Sequence, residues 1–177
     1  MKLREGPEKS IENIKEVFAA LYEANLSRVY RYIYYRVRDV TVAENLTSAV
    51  FEKALTKFNN YRSDKALFST WLFSIARNTV IDHYRKVRRE STVVPNPPSE
   101  VNSGMDMVIK KEEFQRLLSC LSRLPDLEQE IISLKFASGF TNREIAKLHH
   151  LGESNVGTIL YRAIRRLRAK FMEDESG

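Results

Sequence analysis

Residues Thr141 to Phe171, TNREIAKLHHLGESNVGTILYRAIRRLRAKF, decide how this chain folds. Thr141-Asn142-Arg143-Glu144 is a capping box, in which the Thr141 hydroxyl accepts from the Glu144 amide and the Glu144 carboxylate accepts from the Thr141 amide. The helix it opens carries Ile145, Ala146 and Leu148. A turn follows near His149–Gly152. A longer helix then runs to about Phe171, with Val156, Leu160, Ala163 and Leu167 on one buried stripe. Small Ala146 lets the two helices cross closely, as a helix-turn-helix requires. The opposite face of the second helix presents Asn155, Thr158, Tyr161, Arg162 and Arg165, and Arg166, Arg168 and Lys170 follow. Polar groups near the start of a helix and cations further along suit base edges and phosphates of duplex DNA. An ordinary amphipathic helix with solvated arginines would carry similar charges. The capped helix of the right length before it favours the DNA reading.

Upstream, two more helices complete this half. One spans about Met107–Leu121, with Phe114, Leu117, Leu118 and Leu121 inward. The other follows Pro125, which suits a helix start, and runs to about Ala137. Ser138-Gly139-Phe140 is a turn. Before them, Pro95, Pro97, Pro98, Ser99, Ser103 and Gly104 cannot sustain a helix, so residues 91–106 read as a flexible linker between domains 1–90 and 107–177.

In the first domain, Ser10 to Val37 reads as two helices, from Ile11, Ile14, Phe18 and Leu21 and then Val29, Ile33 and Val37. Asp39-Val40-Thr41 breaks the pattern. A helix from about Val42 to Phe58 places Leu46, Val50, Ala54 and Phe58 on one stripe. Asn59 to Lys65 is a polar loop. A long helix from about Ala66 to Arg89 mixes aromatics with bases. Aromatic faces stack on unpaired bases while cations follow the backbone, which is the chemistry of single-strand binding. Phe68, Trp71, Leu72 and Ile75 read as core instead, leaving the exposed Arg, Asn and Tyr positions and the polar loop as nucleic-acid candidates. The fold expected is all-α: two small helical domains, the second a helix-turn-helix.

Composition agrees. The chain has 177 residues, 43% of them hydrophobic, enough for a core in each half. Glycine and proline are scarce, which favours helices. The net charge of +6 suits a polyanionic partner. Cys120 is the single cysteine, so no intrachain disulfide forms. No apolar run approaches a membrane span and the N-terminus lacks a signal-peptide core, so a cytoplasmic protein without membrane insertion is expected. Asp82-His83, His149-His150 and Glu44 are the tempting groups for an enzyme. With no HExxH, no Gly-rich phosphate loop and no Cys/His metal spacing, the chain is expected to have no catalytic residue, metal or cofactor.

The segment Phe68-x-x-Trp71-Leu72-x-x-Ile75-Ala76-Arg77-Asn78-x-x-x-Asp82-x-x-Arg85 resembles the promoter −10 segment of extracytoplasmic-function (ECF) sigma factors of RNA polymerase. Ala43-Glu44-Asn45-Leu46-Thr47, Val50-Phe51 and Lys53-Ala54 resemble the preceding helix of that family, which docks on the clamp helices of the polymerase β′ subunit. Leu124-Pro125, Glu144-Ile145-Ala146, Val156, Arg162-Ala163 and Leu167-Arg168 resemble its −35-binding domain. The match spans about residues 20–90 and 110–171, in the family's order.

The resemblance implies an alternative sigma factor that directs core polymerase to −10 and −35 elements. Its partners would be core polymerase (β′ clamp helices and β flap), promoter DNA and, where one exists, an anti-sigma factor. It implies −10 contacts from Asn59, Asn60, Tyr61, Arg62, Ser63, Arg77, Asn78 and Arg85. It implies −35 contacts from Lys135, Ser154, Asn155, Gly157, Thr158, Tyr161, Arg162 and Arg165. Core docking would use Glu44, Asn45, Thr47, Ser48, Phe51 and Glu52. The chain departs from the family at Asn45, Ser48 and Ala49 in the docking helix. It departs again at His150, where glycine is usual, at Gly152, where a capping serine is usual, and at Gly157, where a basic residue is common. The competing reading is a helix-turn-helix regulator that acts without core polymerase. It would need a βα receiver in the first half, and none is visible. If the linker leaves the two modules unoriented, the free protein should bind promoter DNA weakly.

Overall fold

The computed structural model describes the backbone of residues 7–64, 66–90 and 105–173, and the side chains of 15–64, 66–90 and 111–173. All regular structure among them is helical. The first half comprises α1 (Pro7–Val37), α2 (Val40–Lys57) and α3 (Phe68–Glu90), with a 3-10 turn, Phe58–Asn60, closing α2. The second comprises α4 (Met105–Ser122), α5 (Asp126–Ile132), α6 (Asn142–His149) and α7 (Glu153–Glu173), and a π-helical turn, Ser133–Ala137, extends α5. Most of the expected linker, residues 91–104, lies outside the described residues, as do Lys65 and the side chains of Ile11 and Ile14.

The two helices expected over Ser10–Val37 are one continuous helix. Asn25 stands between the Ile11–Leu21 and Val29–Val37 apolar runs. It is buried, and its side-chain amide donates to the Leu21 carbonyl at 2.8 Å, so the helix absorbs it without an orphaned polar group. The true break comes at Arg38, in the left-handed region at φ 60°. Asp39 follows as an N-cap whose carboxylate accepts from the Val42 amide at 2.8 Å. That cap is why Asp39-Val40-Thr41 interrupts the pattern.

Val29, Ile33, Val50, Ala54, Leu72 and Ala76 are fully inaccessible and form the core of the first half. Each fully buried Val, Ile or Leu contributes roughly 1.5–3 kcal/mol. Of the four residues read as core in α3, Phe68, Leu72 and Ile75 are buried and Trp71 is half-buried. In the second half Leu118, Leu121, Ile131, Ile145, Val156 and Ala163 are buried. Phe114 and Leu117, expected inward, are only half-buried and line an open apolar groove with Ile164, Leu167 and Phe171.

The two halves are not left unoriented. They share a buried interface in which Phe73 of α3 meets Phe140 edge-on at 4.6 Å, both rings essentially inaccessible. The Arg28 guanidinium lies 5.1 Å from the Phe140 ring centroid, and its Nε donates to the Ser138 carbonyl at 2.8 Å. The Ser138 hydroxyl donates back to the Arg28 carbonyl at 3.1 Å. Nearby, Arg36 donates to the Asp126 carbonyl at 3.2 Å, and the Gln115 amide donates to the Tyr34 hydroxyl at 2.9 Å. Composition reads residues 91–106 as a linker. It does not reveal that residues 110 positions apart satisfy one another's backbone groups.

Candidate nucleic-acid interface

The helix-turn-helix forms as its cap dictates. The Thr141 amide donates to Glu144 Oε2 at 2.8 Å, and the Glu144 amide donates to Thr141 Oγ1 at 3.2 Å. The Thr141 amide and hydroxyl bonds hold the Glu144 carboxyl below its ordinary range. The helix ends at His150, which takes the left-handed C-cap conformation, φ 55° and ψ 38°. Glycine adopts that conformation freely and histidine does so at a cost. Val156, Leu160 and Ala163 of α7 are buried, and Leu167 packs against them. Ser154, Asn155, Thr158, Tyr161, Arg162 and Arg165 are all exposed, and Gly157 is half-exposed. Thr158 donates to the Ser154 carbonyl at 3.1 Å, and the Arg165 guanidinium lies 5.7 Å from the Tyr161 ring centroid. A Cβ at Gly157 would sit 3.8 Å from Asn142 Nδ2, an ordinary contact, so packing within the chain does not demand glycine there. Lys135 is half-buried on the π-helical turn, away from the α7 stripe in sequence. Arg166, read as one of the cations following that stripe, donates instead to the buried Glu128 carboxylate of α5.

The loop and helix of the first half divide into scaffold and surface. Tyr61 is scaffold: its ring packs 5.1 Å from Trp71 and 5.5 Å from Phe68, and its hydroxyl donates to the Ala66 carbonyl at 3.0 Å. Around it, Asn59, Asn60, Arg62 and Ser63 are exposed. Arg62 grips Asp64 through two bonds of 3.1 Å, which hold the Asp64 carboxyl below its ordinary range. Asn78 and Arg85 are exposed on α3, and Arg85 lies 3.7 Å from Asp82 one turn away. Such an exposed pair is worth little and releases its arginine readily.

Arg77 differs. Its Nε lies 2.9 Å from Oε1 of Glu130, a residue of α5 in the other half and only 7% exposed. The same oxygen lies 3.4 Å from His149 Nε2 of α6 and accepts from the Tyr32 hydroxyl of α1 at 3.4 Å. Burial alone would push the Glu130 carboxyl up, but His149, Arg77 and Arg36 hold it below its ordinary range. Burial, and next the Glu130 charge, push the Tyr32 phenol well up. This junction was missed because Asp126-Leu127-Glu128-Gln129-Glu130 reads as a solvated start of a helix. Burial of all three of Glu128, Gln129 and Glu130 depends on partners remote in sequence.

On α2, Glu44, Asn45, Ser48 and Glu52 are exposed and spaced to share one face. Thr47 and Phe51 are both 5% exposed. Thr47 donates to the Ala43 carbonyl at 2.7 Å, and Phe51 packs 4.6 Å from Tyr22. Both help hold α2 against its neighbours, and Thr47 also lines an open groove with Tyr30, Glu44 and Ser48. Among the described residues, no group of three His, Cys, Asp or Glu side chains is placed to hold a metal ion, and no helix is long and apolar enough to cross a membrane.

Comparison with known proteins meets this geometry at both faces. Residues 21–90 match the sigma-70 region 2 family, and residues 114–167 match sigma-70 region 4. The chain is 32% identical to the ECF RNA polymerase sigma factor BldN of Streptomyces coelicolor, over 99% of this chain and 67% of the relative. It is 28% identical to the ECF RNA polymerase sigma factor SigM of Bacillus subtilis, over 85% of this chain and 93% of the relative. In fold it resembles CnrH in complex with the cytosolic domain of CnrY, with a TM-score of 0.70 at 21% identity, covering 90% of each chain. It also resembles the sigma factor RpoE of Bartonella quintana in complex with the anti-sigma factor NepR, with a TM-score of 0.69 at 22% identity, covering 89% of this chain and 98% of the other.

Proposed function

The chain belongs to the ECF sigma factors of RNA polymerase, and from that premise we propose how its surfaces divide the work of promoter-directed initiation. The observation that carries the reading is the α7 face. Six polar or cationic side chains, Ser154 to Arg165, stand exposed over a buried Val156–Leu160–Ala163 stripe, directly behind a capped helix. This face reads the −35 duplex: Asn155, Thr158 and Arg162 face base edges, while Arg165 and, from the π-helical turn, Lys135 serve the phosphates. Gly157 leaves room for the DNA backbone to approach.

The first half takes the −10 element as single strand. The exposed loop residues Asn59, Asn60, Arg62 and Ser63 receive a base extruded from the stack. Tyr61 shapes the loop from beneath. Arg77, Asn78 and Arg85 follow the backbone of the non-template strand. Core polymerase docks through its β′ clamp helices on Glu44, Asn45, Ser48 and Glu52, and its β flap engages the second half. An anti-sigma factor is a fitting restraining partner. The protein works in the cytoplasm and has no catalytic step of its own.

The test is binding to core polymerase. The wild-type chain is expected to bind core stoichiometrically. Glu52→Lys should weaken that binding and leave −35 duplex binding intact. A chain that binds duplex promoter DNA tightly yet ignores core polymerase would be a regulator of the helix-turn-helix type instead.

A further inference from the structure

Arg77 is assigned above to the −10 strand, yet its guanidinium is held by Glu130 of the other half at 2.9 Å. Pairing of its Nε with a buried carboxylate fixes where the half-buried Arg77 guanidinium points, so turning it fully toward a phosphate costs that ion pair. The α7 face carries no such restraint: Thr158, Tyr161, Arg162 and Arg165 are exposed in the same packing. The closed arrangement therefore treats the two DNA-reading faces unequally.

We propose that Glu130 is an internal latch, an α5 carboxylate that binds Arg77 of α3 and His149 of α6 and closes the two halves, masking part of the −10 strand surface while the −35 face stays open. The masking rests on the assignment of Arg77 to the strand; the latch does not. Glu130 itself takes no part in DNA or polymerase contact. It draws Arg77 and Tyr32 from the first half and His149 from the second onto one oxygen. Phe73 against Phe140 and Arg28 against Ser138 complete the closure. The free chain should thus bind −35 duplex through α7 while its hold on unpaired −10 strand is reduced. Any partner that separates the halves would restore that hold.

The experiment uses the full chain with donor and acceptor dyes on cysteines introduced at the exposed positions Thr56 and Ala169, Cys120 being buried. Energy transfer reports closure. Fluorescence anisotropy with a single-stranded −10 oligonucleotide and with a −35 duplex reports the two faces, all without polymerase. Glu130→Gln should lower transfer, raise single-strand affinity at least several-fold and leave duplex affinity unchanged. Arg77→Gln should lower transfer equally and gain no single-strand affinity, because it opens the latch while deleting the strand's ligand. Unchanged transfer in both variants, with helicity intact by circular dichroism, would overturn the latch. Lowered transfer in Glu130→Gln without gain in strand binding would overturn the masking. Neither result bears on the sigma assignment, which core binding by the wild-type chain tests separately.

Discussion

The α7 face and the α3 face carry similar chemistry, polar groups beside arginines, yet they stand in different company. On α7 every candidate reader from Ser154 to Arg165 points away from its own half, and the structure gives Thr158 and Arg165 partners on the same helix alone. On α3, Asn78 and Arg85 point outward while Arg77 is committed across the interface to Glu130. The lesson is one of range. A face built by one capped amphipathic helix is complete at i, i+3 and i+4 spacing. A face at a domain junction is completed, or withheld, by residues far away in the chain.

The sharpest way to break this contrast is to remove the apolar part of the junction. Phe140 is 1% exposed and wedged between Phe73 and the Arg28 guanidinium. Phe140→Ala should cost about 3–5 kcal/mol in denaturant unfolding. It should also lower energy transfer between the halves. Loss below about 1 kcal/mol would mean that Phe140 is far less buried in solution than in this packing.

Next in size is the separation of the two readers. Arg162→Ala should weaken −35 duplex binding by about 1–3 kcal/mol if it reads a base edge. If Arg162 touches only phosphate, the loss should be nearly uniform across sequences and the salt slope should fall by about one. Asn78→Ala should spare the duplex and impair capture of unpaired −10 strand by the holoenzyme. Equal damage to both activities by both variants, with the fold intact, would erase the distinction between the faces.

A smaller effect should appear with pH. Glu130 sits against Tyr32 and Arg36 of α1, Arg77 of α3 and His149 of α6, and its carboxyl is held below the ordinary range. A carboxylate depressed in the closed state contributes fully above its unfolded value and loses that contribution as pH falls through the depressed one. Closure, read by energy transfer, should therefore weaken as pH falls through the carboxylate range. Glu130→Gln should remove this acid transition. An unaltered transition in that variant would place its origin elsewhere.

The smallest effect concerns the turn of the helix-turn-helix. His150 holds a left-handed conformation, at φ 55°, that glycine adopts without penalty. His150→Gly should add about 0.5–1 kcal/mol to stability, the relief of backbone strain less the entropy glycine loses on folding. Its DNA affinity should not change. A destabilised variant would show that the histidine side chain contributes more than the strain removes.

How legible these features are follows from how local they are. The Thr141–Glu144 capping box, the Val156–Leu160–Ala163 stripe and the break at Asp39 each depend on neighbours within about one helical turn, and each is where the pattern placed it. Asn25 lies between the two apolar runs that read as separate helices; it is buried and its amide bonds back to Leu21, and one helix spans both runs. Thr47 and Phe51, which the resemblance implies for docking, are buried while Glu44, Asn45, Ser48 and Glu52 are exposed, a division that the motif by itself does not reveal. Arg166 and Arg77 look like solvated cations until their carboxylates, Glu128 and Glu130, are found buried 38 and 53 positions away.

As a sigma factor this chain should open promoter DNA, its two faces acting together only on core polymerase. Permanganate footprinting of a cognate promoter tests it most directly. Reactive thymines across the −10 element should appear when the chain and core polymerase are both present, and with neither alone. Melting by the chain without core, or none with core on a promoter it binds, would contradict the account.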